Sequence, residues 1–140
     1  MSIVGYSIAG IVLLFLIAQF AVVFVSKRKR GHPPGSLRGP LATAVASGKP
    51  TMVYFFSPSC GVCRSVTPVI AAMRREEPNI HSVDVSRDSE TAKAFGVMAT
   101  PTVVTVNGGI IEEVIVGAKP EGDYRQAMSK FRKEPRSKKK

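Results

Sequence analysis

The chain has 140 residues, with 20 Lys and Arg against 10 Asp and Glu, for a net charge of +10 at pH 7; this length holds one domain with appendages and a core of useful size. Its 2 cysteines and 2 histidines are too few for the ligand sets of structural zinc sites, so no metal is expected. The surplus charge looks like a nucleic-acid footprint until it is mapped: between Pro40 and Met128 eight basic residues stand against nine acidic ones, and neither a recognition motif nor aromatic interleaving accompanies the excess at the two ends.

From Ile3 to Val25 the chain is uncharged and almost wholly apolar, Gln19 being the strongest polar interruption. As a helix this run spans about 35 Å, enough to cross a bilayer core of about 30 Å. A cleavable signal peptide would place basic residues before a shorter apolar run and a small-residue cleavage site after it. Here the basic cluster Lys27-Arg28-Lys29-Arg30 follows the run, and Ala21 and Ser26 make no convincing cleavage site. The expectation is a retained transmembrane anchor over residues 1–26, with 3–25 in the membrane. The positive-inside bias keeps Lys27–Arg30 and the domain behind it cytoplasmic; a periplasmic or extracytoplasmic domain is the alternative.

Residues 27–39 form a basic linker whose Gly31, Pro33, Pro34, Gly35 and Gly39 deny it regular structure. Beyond it, Pro40–Ser47 reads as a short helix with Pro40 in its first turn and Gly48 at its end. Thr51–Ser57 reads as a buried strand and Gly61–Arg75 as a helix kinked at Pro68, which cannot donate to its i−4 carbonyl. A second strand covers Ile80–Val85, and a helix over Ser89–Phe95 is capped by Ser89 and ended by Gly96. Strands Thr102–Val106 and Ile110–Val116 flank Asn107-Gly108-Gly109, a hairpin signal, and an amphipathic helix closes the domain over Glu121–Phe131. The two strands joined by a helix should be parallel, with the hairpin adding antiparallel strands. The domain is thus 40–131. Residues 132–140 are a basic tail, equally readable as a disordered terminus or, with the linker, as a contact for anionic lipids at about 1 kcal/mol per basic residue.

The cysteines stand as Cys60-Gly61-Val62-Cys63, between a strand and a helix. A thiol at the start of a helix faces unpaired backbone N–H groups and the positive end of the macrodipole, which favour the thiolate, the attacking species in disulfide exchange. One helical turn separates the two sulfurs, close enough to close a small disulfide; so short a loop stabilises little by entropy, which argues for redox work in which Cys60 attacks and Cys63 resolves.

From about Lys49 to about Tyr124 the chain resembles thioredoxin. Lys49-Pro50 before the strand, Pro58, Cys60-Gly61-x-Cys63-Arg64, Pro68, Val83-Asp84-Val85, Thr100-Pro101-Thr102, Asn107-Gly108 and Gly117-Ala118 fall at thioredoxin-like spacings. The resemblance implies a thioredoxin fold, a central mixed β-sheet flanked by helices, behind the N-terminal transmembrane helix. It also implies a redox-active disulfide in place of any cofactor, a protein disulfide or dithiol as substrate, and a cis proline at Pro101. With Ser59, Thr100 and Gly117, Pro101 would line the substrate groove.

Three departures from the family pattern bear on the chemistry. Ser59 replaces the tryptophan before the first cysteine, Val62 replaces the proline between the cysteines, and Tyr54 replaces the buried Asp that helps to accept the resolving thiol's proton. Slower resolution by Cys63 is expected from Tyr54. Val62 frees a backbone N–H at the helix start, an added donor to the Cys60 thiolate that would make the pair a stronger oxidant. The favoured function is a membrane-tethered thiol:disulfide oxidoreductase, with Gly61, Val62, Tyr54 and Pro101 supporting the cysteines; a cytoplasmic domain in a reducing pool would act as a reductase. The alternative is a non-catalytic adaptor or redox sensor in a membrane complex.

Overall fold

The computed structural model of the chain describes residues 2–133. The elements run α1 (Ser2–Lys27), α2 (Gly39–Ala46), β1 (Thr51–Phe56), α3 (Cys63–Glu76), β2 (Ile80–Asp84), α4 (Ser89–Ala94), β3 (Thr102–Asn107), β4 (Ile110–Val116) and α5 (Glu121–Lys133). The sheet has the order β2-β1-β3-β4, with β1 parallel to β2 and antiparallel to β3, and β3 antiparallel to β4. This is the mixed α/β sheet flanked by helices expected of the thioredoxin fold.

The apolar run of β1 is central because both of its faces are covered, and the period-two geometry of a strand divides its side chains between two cores. Val53 and Phe55 pack with Leu41 and Val45 of α2, Phe95 after α4, and Val104 and Val106 of β3. Met52 and Tyr54 face the other way, against Val66, Ile70 and Met73 of α3 and Tyr124 and Met128 of α5. The Tyr124 hydroxyl accepts a hydrogen bond from the Lys119 N–H at 2.9 Å, which fixes the start of α5 against the end of the sheet.

The local chemistry differs from expectation at four places. Helix α3 starts at Cys63 rather than Gly61, so Cys60 lies in the turn ahead of the helix and not inside its first turn; the helix runs on through Pro68 to Glu76. The cap of α4 is Asp88, whose side chain accepts from the Thr91 N–H at 3.0 Å, and Ser89 is the first helical residue instead. In the hairpin, Thr105 opposes Glu113 while Val106 opposes Ile111, so Glu112 is the extra residue of a β-bulge. The turn itself uses positive φ at both Gly108 (60°) and Gly109 (79°), the pattern that matches strand twist in a two-residue hairpin. Finally, α5 continues to Lys133, two residues beyond Phe131; of the expected tail, 134–140 lies outside the described residues.

The linker has no long regular element, yet it is bound to the domain. The Gly31 N–H donates to the Ile111 carbonyl at 2.7 Å, the Ile111 N–H to the His32 carbonyl at 3.0 Å, and the Gly35 N–H to the Ala94 carbonyl at 2.8 Å. Arg30 Nε adds a bond to the Glu112 carbonyl at 2.6 Å. The Arg30, Gly31 and His32 contacts occupy the outer edge of β4, where unpaired backbone groups would otherwise invite another strand.

His81, half-buried on the edge strand β2, gives the fold a pH dependence. Burial, and then the positive charge of Arg74, hold its pKa below the ordinary 6.5. The unfolded chain therefore takes up the proton first, so the stability from neutral His81 is complete above about pH 6.5 and is lost as the pH falls toward the folded-state value. Thermal unfolding of the full chain in detergent should show a fall in Tm below pH 6.5 that His81→Gln flattens; an unchanged slope in the variant would refute the assignment.

Candidate redox site

Three strand ends meet at one edge of the sheet. Phe55 pairs with Thr102 and Thr102 with Val116, so the turn after β1, the Thr100–Pro101 segment before β3 and Gly117 after β4 share that end. The β1 turn is closed by the Cys60 N–H donating to the Ser57 carbonyl at 3.1 Å and by the Ser57 and Ser59 hydroxyls 2.9 Å apart. Ser59 and Gly61 are exposed and Cys60 partly so, whereas Cys63 is only 2% exposed.

Cys60 and Cys63 are joined in a disulfide. The Cys63 N–H donates to Cys60 Sγ at 3.2 Å. The expected donor, the N–H of Val62, is not the one used: Val62 occupies the N-cap in helical conformation without a side-chain cap, and the first N–H aimed back at the sulfur belongs to the next residue. A donor and the positive dipole end of a helix both favour negative charge on a sulfur placed ahead of it. The two sulfurs are unequally exposed: an incoming group can reach Cys60, while Cys63 is buried behind it.

Tyr54 lies beneath Cys63. Its hydroxyl donates to the Cys63 carbonyl at 3.3 Å and stands 3.0 Å from Thr67 Oγ1, which itself donates to the same carbonyl at 2.8 Å. Burial pushes the Tyr54 phenol above its ordinary pKa, outweighing the pull of the Thr67 hydrogen bond. Tyr54 is therefore neutral at working pH and is no base for a departing thiol proton; with Thr67 it clamps the first carbonyl of α3. Thr67 is not among the site residues that the sequence reading singles out. Its signal is local: a threonine one turn after a helix start tends to bond the i−4 carbonyl.

On the far side of the site, the Thr100–Pro101 peptide is cis, and the buried Pro101 offers its carbonyl to the Gly117 N–H at 2.8 Å. Gly117 holds φ at +84°, a conformation that suits glycine. The Thr102 hydroxyl closes the turn by donating to the Ala99 carbonyl at 2.7 Å. Pro101 and Gly117 are thus brought together, and sheet register sets them at the same end as the cysteines. Among the described residues, no group of three or more His, Cys, Asp or Glu is gathered to hold a metal.

The family model for thioredoxin matches residues 41–130. The chain is 37% identical over 82 residues to thioredoxin from Streptomyces clavuligerus, covering 57% of this chain and 77% of that one. With thioredoxin from Bacillus subtilis it shares 33% identity over 79 residues, covering 54% and 76%. Of solved structures, Fasciola hepatica thioredoxin superposes with a TM-score of 0.54 at 32% identity, covering 59% of this chain and 81% of that one. A mutant thioredoxin from Halobacterium salinarum shares the fold, at TM-score 0.62 and 21% identity over 69% and 87% of the two chains.

Removing the Tyr54 hydroxyl tests the clamp. Tyr54→Phe keeps the ring and leaves Thr67 bonded to the Cys63 carbonyl, so its cost should be about 1 kcal/mol. Tyr54→Ala empties a core position and should cost about 3–5 kcal/mol, the range for large aromatic truncations. Thermal or denaturant unfolding measures both, and equal losses in the two variants would contradict the clamp.

Proposed function

The chain belongs to the thioredoxin family and is a thiol-disulfide oxidoreductase, and on that premise we propose that it reduces protein disulfides from a membrane anchor through the Cys60–Cys63 pair. The observation that carries this reading is the combination of a partly exposed Cys60, a buried Cys63 and the N–H of Cys63 aimed at Cys60 Sγ. In the reducing direction Cys60 thiolate attacks one substrate sulfur, the substrate S–S bond breaks, and a mixed disulfide forms. Cys63 thiolate then attacks Cys60 Sγ, leaving the Cys60–Cys63 disulfide and two substrate thiols. A thiol or dithiol reductant restores the reduced pair. As in the family, the redox-active disulfide takes the place of a prosthetic cofactor.

In this reading Gly61 and Val62 form the turn that exposes Cys60, and Tyr54 supports Cys63 through its carbonyl. Pro101, Thr100, Ser59 and Gly117 offer the surface on which an extended substrate segment lies. Residues 1–26 serve as anchor, 27–39 as tether, 40–131 as the redox domain and 132–140 as a basic tail. The length and apolarity of α1 support the anchor, since Gly5–Val25 is long enough to cross a membrane and its apolar window is not buried in the domain. The Lys27–Arg30 cluster after it favours a domain on the cytoplasmic side, where the tether's basic residues and the tail would lie near anionic headgroups. Tethering raises effective concentration on membrane-bound targets and selects among substrates by location.

Replacing Cys63 with Ala should leave Cys60 unable to release its substrates, so mixed disulfides accumulate that are resolved on a non-reducing gel and vanish with added dithiol. Cys60→Ala should abolish both the adducts and turnover. An unchanged set of partners in the two variants would refute the exchange mechanism.

A further inference from the structure

We propose that the redox end of the domain faces the bilayer surface, so that the disulfides it takes are those held close to the membrane in juxtamembrane segments of membrane proteins. This rests on the reading of α1 as a membrane anchor.

Strand directions define two ends of the domain. Strands β1 and β4 both run antiparallel to β3, so Phe56, Pro101 and Gly117 mark one end, with the cysteines, and Thr51, Gly108 and Ile111 mark the other. The tether joins the domain at the second end, through the paired bonds of Gly31 and His32 with Ile111. From there back toward the N-terminus the chain does not leave the domain. Lys27 and Val23 line a groove with Glu113–Val116 of β4, Lys119 and the facing side of α5. The last turns of α1 therefore lie along the edge of β4, climbing from Ile111 toward Val116 and the redox end. Beyond Val23 the helix continues to Ser2, a further length of about 30 Å at the rise of an α-helix. That length, and the bilayer it would cross, lies on the side of the cysteines.

The surface presented there fits such a partner. Among the described residues outside α1, the exposed large apolar side chains are Val62 and Met98, at 55% and 62%. Val62 adjoins Cys63, and Met98 lies in the segment that leads into the cis Thr100–Pro101 peptide. Exposed apolar side chains at the redox end, on the side toward which α1 extends, suit an extended segment at the lipid interface. The tether bonds, together with the α1 groove, oppose a swing of the domain that would turn the cysteines outward.

The experiment uses the full chain in phosphatidylcholine–phosphatidylglycerol vesicles. A fluorophore on Cys60 of the Cys63→Ala chain should be quenched several-fold more by headgroup spin-labelled lipid than the same fluorophore on Lys49→Cys in a chain with both native cysteines changed to Ala. With the unmodified chain in its reduced form, two membrane-embedded peptides are then compared, one with its disulfide about four residues from the apolar helix and the other behind a flexible spacer of about twenty residues. Single-turnover reduction of the near disulfide should be about tenfold faster, because its effective concentration at the redox end is higher. Equal or reversed orders in quenching or in rate overturn the orientation while leaving the anchor intact. A chain that fails to float with the vesicles overturns the anchor itself, and the orientation with it.

Discussion

The N–H of Cys63, 3.2 Å from Cys60 Sγ, is the contact on which the site depends, and it exists because a helix begins where a buried strand ends. A helix start leaves N–H groups without intrahelical partners. In most helices water or a capping side chain takes them; here the N-cap is Val62, which has no acceptor to offer. The sulfur one turn earlier takes that place. The same junction buries Cys63 and leaves Cys60 partly exposed, so one backbone geometry sets both the hydrogen bond to the accessible sulfur and the burial of its partner.

That junction is held from below by side chains of β1. The strand alternates between two cores, and the parity that sends Phe55 toward α2 and α4 sends Tyr54 toward α3. Family members with an acid at the Tyr54 position carry a proton acceptor there. A phenol with raised pKa cannot play that part, and its hydroxyl instead joins Thr67 on the Cys63 carbonyl. Chemical capacity is exchanged for a neutral clamp, a choice that suits a buried site because it leaves no charge to desolvate.

The far edge of the sheet explains the linker. A strand at the edge exposes a row of backbone groups, and β4 carries a bulge at Glu112 that turns its backbone. Arg30, Gly31 and His32 take up groups of Glu112 and Ile111, so a segment rich in glycine, proline and basic residues becomes a strap along the domain. Its polar backbone satisfies the edge without adding a regular strand.

Much of this was legible in the residues themselves. Hydrophobic periodicity, the Asn107-Gly108-Gly109 turn and the interruption by glycine and proline marked the helices and strands to within a few residues, and the Cys60-x-x-Cys63 spacing marked the redox pair. Those features are local: a turn needs its positive φ, and a strand its apolar run, wherever the chain goes next. What escaped were relations between distant positions or choices between equivalent neighbours. Asp88 rather than Ser89 caps α4, because both side chains can accept and packing decides which one stands at the N-cap. Thr67 pairs with Tyr54 only once α3 lies over β1. The linker became a strap because β4 left its edge open beside it. The elements, the Cys-x-x-Cys pair and the apolar span follow from the residues alone, through short-range sterics and solvation. The clamp on Cys63 and the course of α1 along β4 came only with packing, since each needs groups from separate elements to meet at hydrogen-bonding or van der Waals distance.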